Sequence, residues 1–421
     1  MISMNRRYFI QVLVSAGSML SARRVLAQGR KKVVIIGGGV GGITAARTLL
    51  ASHLNIDVTV IEPNAFYTTC FFSGSVLAGF QSRSELDFSY CNLKNVENIA
   101  WVQARADHID ADKSVVRLST GDVLSYDRLI VAPGIGFQLS AIEGYSETAS
   151  FVFPHAYDLG HRIDPLKARL EALDDGALLA ISVPERPYRC TPAPYERASM
   201  IAHYLKTYKP KSKVIILDSK NEFPLMDRIL PAWERFYGDM IEWVPADFGG
   251  KLDAVNVADG SISAGGEIIS PALANIIPPQ RAGDIALTAG LVDKSGWCPV
   301  DTVSLESTLI PKIHVIGDAI EAGDMSKSAH SAASHGYVCG AAVGQFLTGE
   351  APTIPEYENA CYFLVAQDHG LKVGGSYTPK SGRIVGTKGF SSAVGETDAV
   401  RKVTAFDGVN WYQQTTQKLF G

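Results

Sequence analysis

Three closely spaced glycines between two β-branched segments constrain the fold more than any other feature of the sequence. A strand is expected at Lys31–Ile36, and it runs into the turn Gly37-x-Gly39-x-x-Gly42 and then into an alanine-rich helix. A second strand is expected at Ile56–Ile61. This order of strand, turn, helix and strand is what a βαβ unit with parallel strands requires. The glycines either let backbone amides and the helix N-terminus face a pyrophosphate, or serve a tight turn that packs the helix on the sheet.

Glu62 favours the first of these interpretations. It lies 20 residues beyond Gly42, at the end of the second expected strand. A carboxylate at this position accepts hydrogen bonds from the hydroxyls of an adenosine ribose. A turn that only packs a helix on a sheet gives no reason for an acidic residue there. The sequence therefore predicts a dinucleotide-binding site that uses Gly37, Gly39, Gly42 and Glu62.

A distal motif indicates which dinucleotide is bound. The segment Ile316-Gly317-Asp318-Ala319 ends a buried apolar strand and resembles the flavoprotein strand whose aspartate binds the ribityl chain. A helix rich in small residues is expected from about Ser328, with its N-terminus directed at the pyrimidine end of the flavin. FAD is therefore the expected cofactor, with Gly317 and Asp318 as ligands. The alternative role for Asp318 is a helix N-cap or a turn residue.

A weaker copy of the same βαβ pattern follows later in the chain. Strands are expected at 177–183 and 213–217, with a helix at 195–207 between them. The turn of this second unit holds Pro184, Pro187 and Pro192 in place of glycines. Prolines lack the amide donors that a phosphate needs. A nicotinamide dinucleotide is therefore not expected to be the electron partner.

These patterns predict an α/β fold with two Rossmann-like dinucleotide-binding domains, in a chain of 421 residues that is long enough for two or three domains. The FAD-binding domain is expected to be discontinuous, with parts at 28–150 and 271–347, and the second domain to occupy 151–270. Residues 348–421 are expected to form a smaller C-terminal α+β interface domain of short strands punctuated by glycine, with an aromatic end at Trp411, Tyr412 and Phe420.

The N-terminus is typical of an export signal. Arg6 and Arg7 precede an apolar stretch, and Val25-Leu26-Ala27 follows it, so residues 1–27 resemble a twin-arginine signal peptide for a periplasmic protein. The alternative is an amphipathic helix. The apolar stretch is too short and too polar for a transmembrane span. Removing 1–27 changes the formal net charge from −4 to −8, which excludes a nucleic-acid partner and favours a basic protein.

The six cysteines are spaced too widely for several common sites. They lie at positions 70, 91, 190, 298, 339 and 361, and no two form CxxC or CxxCH. This spacing excludes a zinc ribbon, a thioredoxin motif and attachment of a c-type haem to this chain.

Several longer segments resemble one family, the flavoprotein subunit of flavocytochrome c sulfide dehydrogenase, and more distantly the sulfide:quinone oxidoreductases. The segments that carry the resemblance include Tyr67-Thr68-Thr69-Cys70, Tyr188-Arg189-Cys190, Pro194-Tyr195-Glu196-Arg197-Ala198-Ser199, Ile277-Pro278-Pro279-Gln280-Arg281-Ala282-Gly283, Gly296-Trp297-Cys298-Pro299-Val300-Asp301 and Asn359-Ala360-Cys361-Tyr362. The segment around His330 and His335 follows the family pattern only loosely.

The resemblance implies roles for three cysteines. It implies that Cys70 is bonded through sulfur to the flavin 8α-methyl, and that Cys190 and Cys361 form a redox-active disulfide. Glu196, six residues after Cys190 at the start of an expected helix, is the candidate to move protons beside the disulfide if burial raises its pKa. The alternatives are a buried apolar Cys70, free thiols at 190 and 361, and a Glu196 that is merely a surface acid in the first turn of a helix. The remaining cysteines, Cys91, Cys298 and Cys339, are expected to be core thiols.

The function implied by the resemblance is FAD-dependent oxidation of sulfide. Electrons would pass from the flavin to a c-type cytochrome subunit, which must be another chain because this one has no haem-attachment motif. The sequence leaves two alternatives open, a sulfide:quinone oxidoreductase and a non-catalytic flavin-binding scaffold for redox partners. No metal site is expected.

Overall fold

The computed structural model describes residues 29–94, 99–158 and 163–421. The predicted signal peptide at 1–27 lies outside the described residues and stays a prediction. In the described ranges, no helix is long and apolar enough to cross a bilayer.

The described elements alternate between strands and helices over most of the chain. The strands are β1 Lys31–Ile36, β2 Ile56–Ile61, β3 Phe66–Thr68, β4 Asp87–Ser89, β5 Ile99–Val102, β6 Ala106–Asp110, β7 Val115–Leu118, β8 Val123–Ser125, β9 Arg128–Val131, β10 Ile135–Phe137, β11 Leu178–Val183, β12 Lys213–Asp218, β13 Ile241–Val244, β14 Leu252–Val255, β15 Ile262–Ala264, β16 Glu267–Ile269, β17 Leu273–Ile276, β18 Gln280–Ala282, β19 Ile313–Val315, β20 Tyr357–Ala366, β21 His369–Lys380 and β22 Arg383–Ser391. The α-helices are α1 Val40–Ala51, α2 Ser73–Ala78, α3 Cys91–Lys94, α4 Ala149–Val152, α5 Ile163–Ala172, α6 Ala193–Tyr208, α7 Met226–Tyr237, α8 Asp284–Thr288, α9 Ala329–Thr348 and α10 Asp398–Phe420. Short 3₁₀ turns lie at Arg83–Leu86, Leu139–Ala141, Gly238–Met240, Ala246–Phe248 and Gly317–Ala319.

The first sheet is parallel and combines distant parts of the chain. Its strand order is β19-β9-β1-β2-β5. Ile36 pairs with Ile61 of β2 and with Val131 of β9, and β9 in turn pairs with β19. The β1 residues Val33 and Ile35 are fully buried, as expected for a parallel strand covered on both faces. The predicted discontinuous FAD-binding fold is therefore confirmed.

The second sheet repeats this arrangement. Its order is β13-β12-β11-β17, and all of these strands are parallel. Val183, the last residue of β11, pairs with Asp218, the last residue of β12. The prediction of two Rossmann-like units is confirmed, whereas the domain boundaries near 150, 270 and 347 stay predictions.

The C-terminal part has an antiparallel sheet, β20-β21-β22, covered by α10, so its α+β class is confirmed. Its strands have 10, 12 and 9 residues, so the expectation of short strands is wrong. The glycines mark close contacts instead of strand ends. A Cβ at Gly370 would clash with the Ala405 backbone of α10, and one at Gly374 would lie 2.6 Å from the Phe390 ring.

The backbones of α1 and α9 in the FAD-binding part are in close contact. A Cβ on Gly336 of α9 would lie 2.7 Å from the Thr44 Cβ of α1, and one on Gly340 would lie 2.8 Å from the Thr48 Cβ. A larger residue at either position would therefore force the two helices apart or strain the packing between them. The small residues of α9 therefore fix its position against α1, and with it the position of both helix N-termini.

The aromatic end of the chain is part of the core. Phe420 stacks on Tyr67 at 4.8 Å between ring centroids and packs against Phe88 and Tyr90. The Tyr412 hydroxyl lies 3.0 Å from Thr69 Oγ1. The last helix thus supports the loop that leads to Cys70.

Candidate functional site

A cavity of about 770 Å³ lies between the two parallel sheets and the C-terminal sheet. It is large enough for a cofactor or a drug-sized ligand. The sequence-predicted residues that line it are Gly37, Gly39, Glu62, Cys70, Cys190, Glu196, Gly317, Asp318 and Cys361. Gly42 does not line the cavity; a Cβ there would clash with the Gly37 carbonyl, so Gly42 serves the close turn instead of ligand contact.

The glycine turn opens α1 toward the cavity. Gly37 has φ of +102°, and a Cβ there would clash with the Ala132 carbonyl. Gly39 is the N-cap of α1 and has no side chain to occupy the first-turn amides. A Cβ on Gly39 would meet only Tyr67, at 3.8 Å, so the space beside this turn belongs to the cavity. These features fit a bound pyrophosphate.

Glu62 lies directly after β2, as predicted, and it is buried. Its Oε2 accepts the Gly38 N–H at 2.8 Å, and its Oε1 accepts the backbone N–H and side-chain amide of Asn64 at 2.9 and 2.8 Å. A carboxylate offers about four acceptor positions, so it keeps capacity for a ribose hydroxyl.

Asp318 lies in the turn Gly317–Ala319 and forms an ion pair that the sequence did not predict. Its Oδ2 accepts from Arg189 Nε at 2.6 Å. Its Oδ1 is buried and has no partner among the described residues. A buried, unpaired acceptor beside a cavity fits a ligand hydroxyl, as the ribityl chain supplies. The N-cap of α9 is Ser328, whose side chain accepts the Ser331 N–H, so the N-cap role for Asp318 is excluded.

The N-terminus of α9 faces the cavity, since Ser328, Ala329 and His330 line it. His330 stacks on Trp411 at 5.9 Å between ring centroids. His335, one turn further, is buried, and desolvation lowers its pKa to about 4. His335 is therefore neutral at physiological pH. The positive end of the α9 helix dipole faces the cavity and can interact with an anionic group there.

Taken together, the residues fit FAD. The first-turn amides of α1 would hold the pyrophosphate, Glu62 the adenosine ribose, Asp318 the ribityl chain, and the α9 N-terminus the flavin pyrimidine.

Cys70 follows β3 and lines the same cavity. Its sulfur is partly buried and lies 3.9 Å from the Tyr157 carbonyl oxygen. The predicted alternative, a cysteine packed in the apolar core, does not describe this position.

Cys190 and Cys361 are 171 positions apart in sequence, and both line the cavity. Cys190 has φ of +54°, and its N–H donates to the Lys327 carbonyl at 2.7 Å. Desolvation raises the pKa of both thiols, and the proximity of Cys361 raises that of Cys190 further. The two sulfurs are not bonded in the structure, so the disulfide stays a prediction.

Glu196 begins α6 and lies close to both sulfurs. Its Oε1 accepts the Leu364 N–H at 2.8 Å, and Leu364 is on the strand that carries Cys361. Desolvation raises the pKa of Glu196 to about 7. The negative charge of Glu196 further raises the pKa of both cysteines. Glu196 is therefore an acid shielded from solvent beside the cavity, and the alternative of a solvated surface acid is wrong.

The other cysteines differ from one another. Cys298 and Cys339 are fully buried, which confirms them as core thiols. Cys91 is exposed at the start of α3, so the expectation that it belongs to the core is wrong.

In the second dinucleotide unit, the protein's own side chains occupy the carboxylate that would otherwise bind a ribose. Asp218 ends β12, where a ribose-binding acid would stand in a nicotinamide site. Here it is fully buried: Oδ2 accepts from the Tyr195 hydroxyl at 2.6 Å and from Trp243 Nε1 at 3.0 Å, and Oδ1 pairs with Lys220 Nζ at 2.5 Å. Both carboxylate oxygens are thus engaged within the protein.

The sequence analysis missed two arginines that line the cavity, the partly buried Arg189 and the buried Arg197. The Arg189 backbone N–H donates to Gln280 Oε1 at 2.8 Å, so Arg189 connects the Cys190 loop to both Gln280 and Asp318. Arg197 lines the cavity and donates to the carbonyls of His155 and Ala156 and to Asn275 Oδ1. The only available signal was their position inside the segments that carry Cys190 and Glu196.

The fold and the site define a flavoprotein with two dinucleotide-binding folds and two cysteines over one cavity. Three family models match. Residues 31–168 match the pyridine nucleotide-disulphide oxidoreductases, 164–278 the central part of the flavoprotein chain of sulfide dehydrogenase (flavocytochrome c), and 353–420 the flavin-binding part of flavocytochrome c sulphide dehydrogenase. Over 164–278 and 353–420 the chain is therefore similar to the flavoprotein chain of flavocytochrome c sulfide dehydrogenase.

Individual relatives are more distant. The chain is 26% identical over 330 residues to the mitochondrial sulfide:quinone oxidoreductase of Mus musculus, covering 74% of this chain and 70% of that protein. It is 27% identical over 186 residues to the sulfide-quinone reductase of Aquifex aeolicus, covering 44% and 41%.

Solved structures share the fold at lower identity. The structure of the Aquifex aeolicus sulfide:quinone oxidoreductase has a TM-score of 0.72 at 15% identity and covers 92% of this chain and 91% of that one. A NAD-dependent persulfide reductase from A. fulgidus has a TM-score of 0.62 at 15% identity, with 90% and 77% covered.

The closed second unit predicts that NADH and NADPH do not reduce the flavin. Oxidised holoprotein mixed anaerobically with an excess of either nucleotide should keep its flavin absorbance, because no glycine turn or free carboxylate receives the dinucleotide. Dithionite provides the control that the flavin is reducible. Rapid bleaching by micromolar NADH would contradict the prediction.

Proposed function

We propose that this protein oxidises sulfide at a disulfide between Cys190 and Cys361, and that the flavin passes the electrons singly to a c-type cytochrome subunit on another chain. The observation that carries the proposal is the meeting of Cys190, Cys361 and Glu196 in the cavity whose glycine turn and α9 N-terminus fit FAD. A scaffold without catalysis gives no reason for this convergence.

The chemistry begins with thiol–disulfide exchange. Hydrosulfide attacks one sulfur of the disulfide, a new S–S bond forms, and the other cysteine leaves as a thiolate. Glu196, with a pKa near 7, exchanges protons with the sulfur species at physiological pH. FAD bound here supplies two-electron acceptance from the cysteines and one-electron release to a haem.

A buried cation, Arg197, favours the entry of an anion. Arg189 is paired with Asp318, whereas Arg197 donates to carbonyl and amide oxygens and has the carboxyl of Glu196 as a charged neighbour. A buried positive charge attracts an anion strongly at low dielectric. Arg197 therefore supports the binding of hydrosulfide instead of neutral hydrogen sulfide.

The partner and the compartment are part of the proposal. The twin-arginine pattern at 1–27 supports export to the periplasm, and the formal charge of −8 without this segment supports a basic partner.

A quinone acceptor is the second candidate, and one surface favours it. The exposed face of α10 carries Val403, Phe406 and Val409, which are 58%, 63% and 38% exposed. An apolar helix face can lie in a membrane interface, where quinone is found. The sulfide:quinone oxidoreductases named above also point this way.

The oxidant that restores the flavin separates the two acceptors. Sulfide-reduced holoprotein should be reoxidised by a c-type cytochrome in one-electron steps, faster than by a soluble short-chain quinone. The measurement is double-mixing stopped flow, with flavin and haem absorbance followed together. Faster reoxidation by quinone, lost when Phe406 is replaced by Glu, would establish the second candidate. Failure of sulfide to reduce the flavin at all would refute both and leave the scaffold.

The disulfide mechanism predicts that Cys361→Ser folds and keeps its flavin spectrum but loses sulfide-dependent bleaching by several orders of magnitude. The reason is that a thiolate held beside its target gains an effective molarity of about 10⁵ M or more. Cys339→Ser, which removes a buried thiol away from the cavity, is the matched control. If the disulfide is merely structural, its loss lowers stability by about 2–5 kcal/mol and leaves the rate of folded molecules unchanged.

Covalent attachment through Cys70 is the last part of the proposal, and it rests on the position of Cys70 on the cavity wall. Acid precipitation of the holoprotein should leave the yellow colour in the pellet. Cys70→Ala should release its FAD to the supernatant, because Gly37, Gly39 and Glu62 hold the nucleotide only reversibly. Complete release of flavin from the unmodified protein would contradict attachment.

A further inference from the structure

The two cysteines have unequal polar surroundings. The Cys361 sulfur lies 4.0 Å from Ser326 Oγ and 3.8 Å from Asn359 Oδ1. The Ser326 hydroxyl opposes the rise that desolvation causes in the pKa of Cys361, whereas toward Asn359 Oδ1 the Cys361 thiol is the donor. At Cys190 the opposing hydrogen bond comes from the backbone of Ala193 alone.

The hydrogen bonds of Asn359 set the direction of the Ser326 hydroxyl. Asn359 is buried, and its Nδ2 donates to Ser326 Oγ at 2.7 Å. Ser326 is the acceptor in that bond, so its own proton is free to point elsewhere, and the Cys361 sulfur is within reach. Asn359 Oδ1 accepts from Ser328 Oγ at 2.9 Å, and Ser328 Oγ accepts the Ser331 N–H at 3.1 Å. This chain of bonds begins at the N-cap of α9 and fixes the amide in one orientation.

We propose that Ser326 donates its hydroxyl hydrogen bond to the Cys361 sulfur when that sulfur is a thiolate, and that Asn359 is the positioning residue that directs it. The inference rests on the proposed function, because the Cys361 thiolate forms when hydrosulfide opens the Cys190–Cys361 disulfide.

The arrangement assigns the two sulfurs different parts in the exchange. Hydrosulfide bonds to the Cys190 sulfur, the Cys190–Cys361 bond breaks, and its electron pair stays on the Cys361 sulfur as a thiolate. The proton of hydrosulfide remains on the new terminal sulfur, so one persulfide and one thiolate balance the two reactants. A better-stabilised thiolate leaves faster, which makes Cys361 the leaving sulfur.

Other ionisable groups also act on Cys361. They include Cys190 from the loop before α6, Glu196 from α6 and Tyr377 from β21. The substitutions proposed below replace none of these groups, and Ser326→Ala is the decisive variant because Asn359→Ala also removes a hydrogen bond to Tyr377.

The test measures each thiol directly. Reduced holoprotein is alkylated with iodoacetamide across a range of pH, and the rate at each cysteine is read by peptide mass spectrometry. Ser326→Ala should move the midpoint of the Cys361 profile upward by about one pH unit or more, because a hydrogen bond to a charged group is lost. The Cys190 midpoint should not rise with it, because a less charged Cys361 repels the Cys190 thiolate less. Ser326→Thr should keep the midpoint of the unsubstituted protein.

Asn359→Ala tests the same hydroxyl through its positioning partner and should move the Cys361 midpoint in the same direction. Ser331→Ala is the matched control, since it keeps the backbone N–H that Ser328 Oγ accepts, leaves the Ser328 proton on Asn359 Oδ1, and removes a hydroxyl that contacts neither cysteine. An unchanged Cys361 profile in Ser326→Ala, or an equal shift in Ser331→Ala, would overturn the proposal. The assay contains no sulfide, so it decides the role of Ser326 separately from sulfide bleaching, which decides the proposed function.

Discussion

The contact between α1 and α9 is the constraint on which the rest of the site depends. Gly336 and Gly340 bring the two helix backbones together at a distance that no larger residue permits without a shift. Both helices begin at the same cavity, so this crossing sets the spacing between two positive helix ends. When FAD is bound, these two helix ends would hold its pyrophosphate and the pyrimidine end of its ring.

The second unit has the dinucleotide fold without the features of a dinucleotide site. Its turn holds prolines in place of glycines, and the Asp218 carboxylate is engaged by Tyr195, Trp243 and Lys220. The loop at this turn carries Cys190, and an ion pair joins its Arg189 to Asp318 of the first unit. The ion pair therefore aligns a residue of one nucleotide fold with the cofactor site of the other.

The sequence predicted the parts of the structure that depend on local patterns. β1, β2 and the glycine turn lie where the β-branched runs and Gly37 indicated, because short-range sterics decide them. The Arg189–Asp318 ion pair joins residues 129 positions apart, and the hydrophobic periodicity of a sequence does not predict such a long-range contact. Helix α10 was missed because its many valines and threonines are typical of strands, and packing on β21 overrides that preference. Sequence resemblance brought Cys190 and Cys361 together, whereas physical pattern alone left their pairing open.

The aromatic contacts of the C-terminal helix close the cavity with residues from both ends of the chain. The loop that leads to Cys70 packs against Tyr412 and Phe420, and Thr69 meets Tyr412 across 343 positions of the chain. The glycine turn and Glu62 lie in the first third of the sequence, whereas Asp318, the N-terminus of α9 and these aromatic residues lie in the last third. The full set of cavity walls therefore exists only once the C-terminal helix has packed on the first sheet.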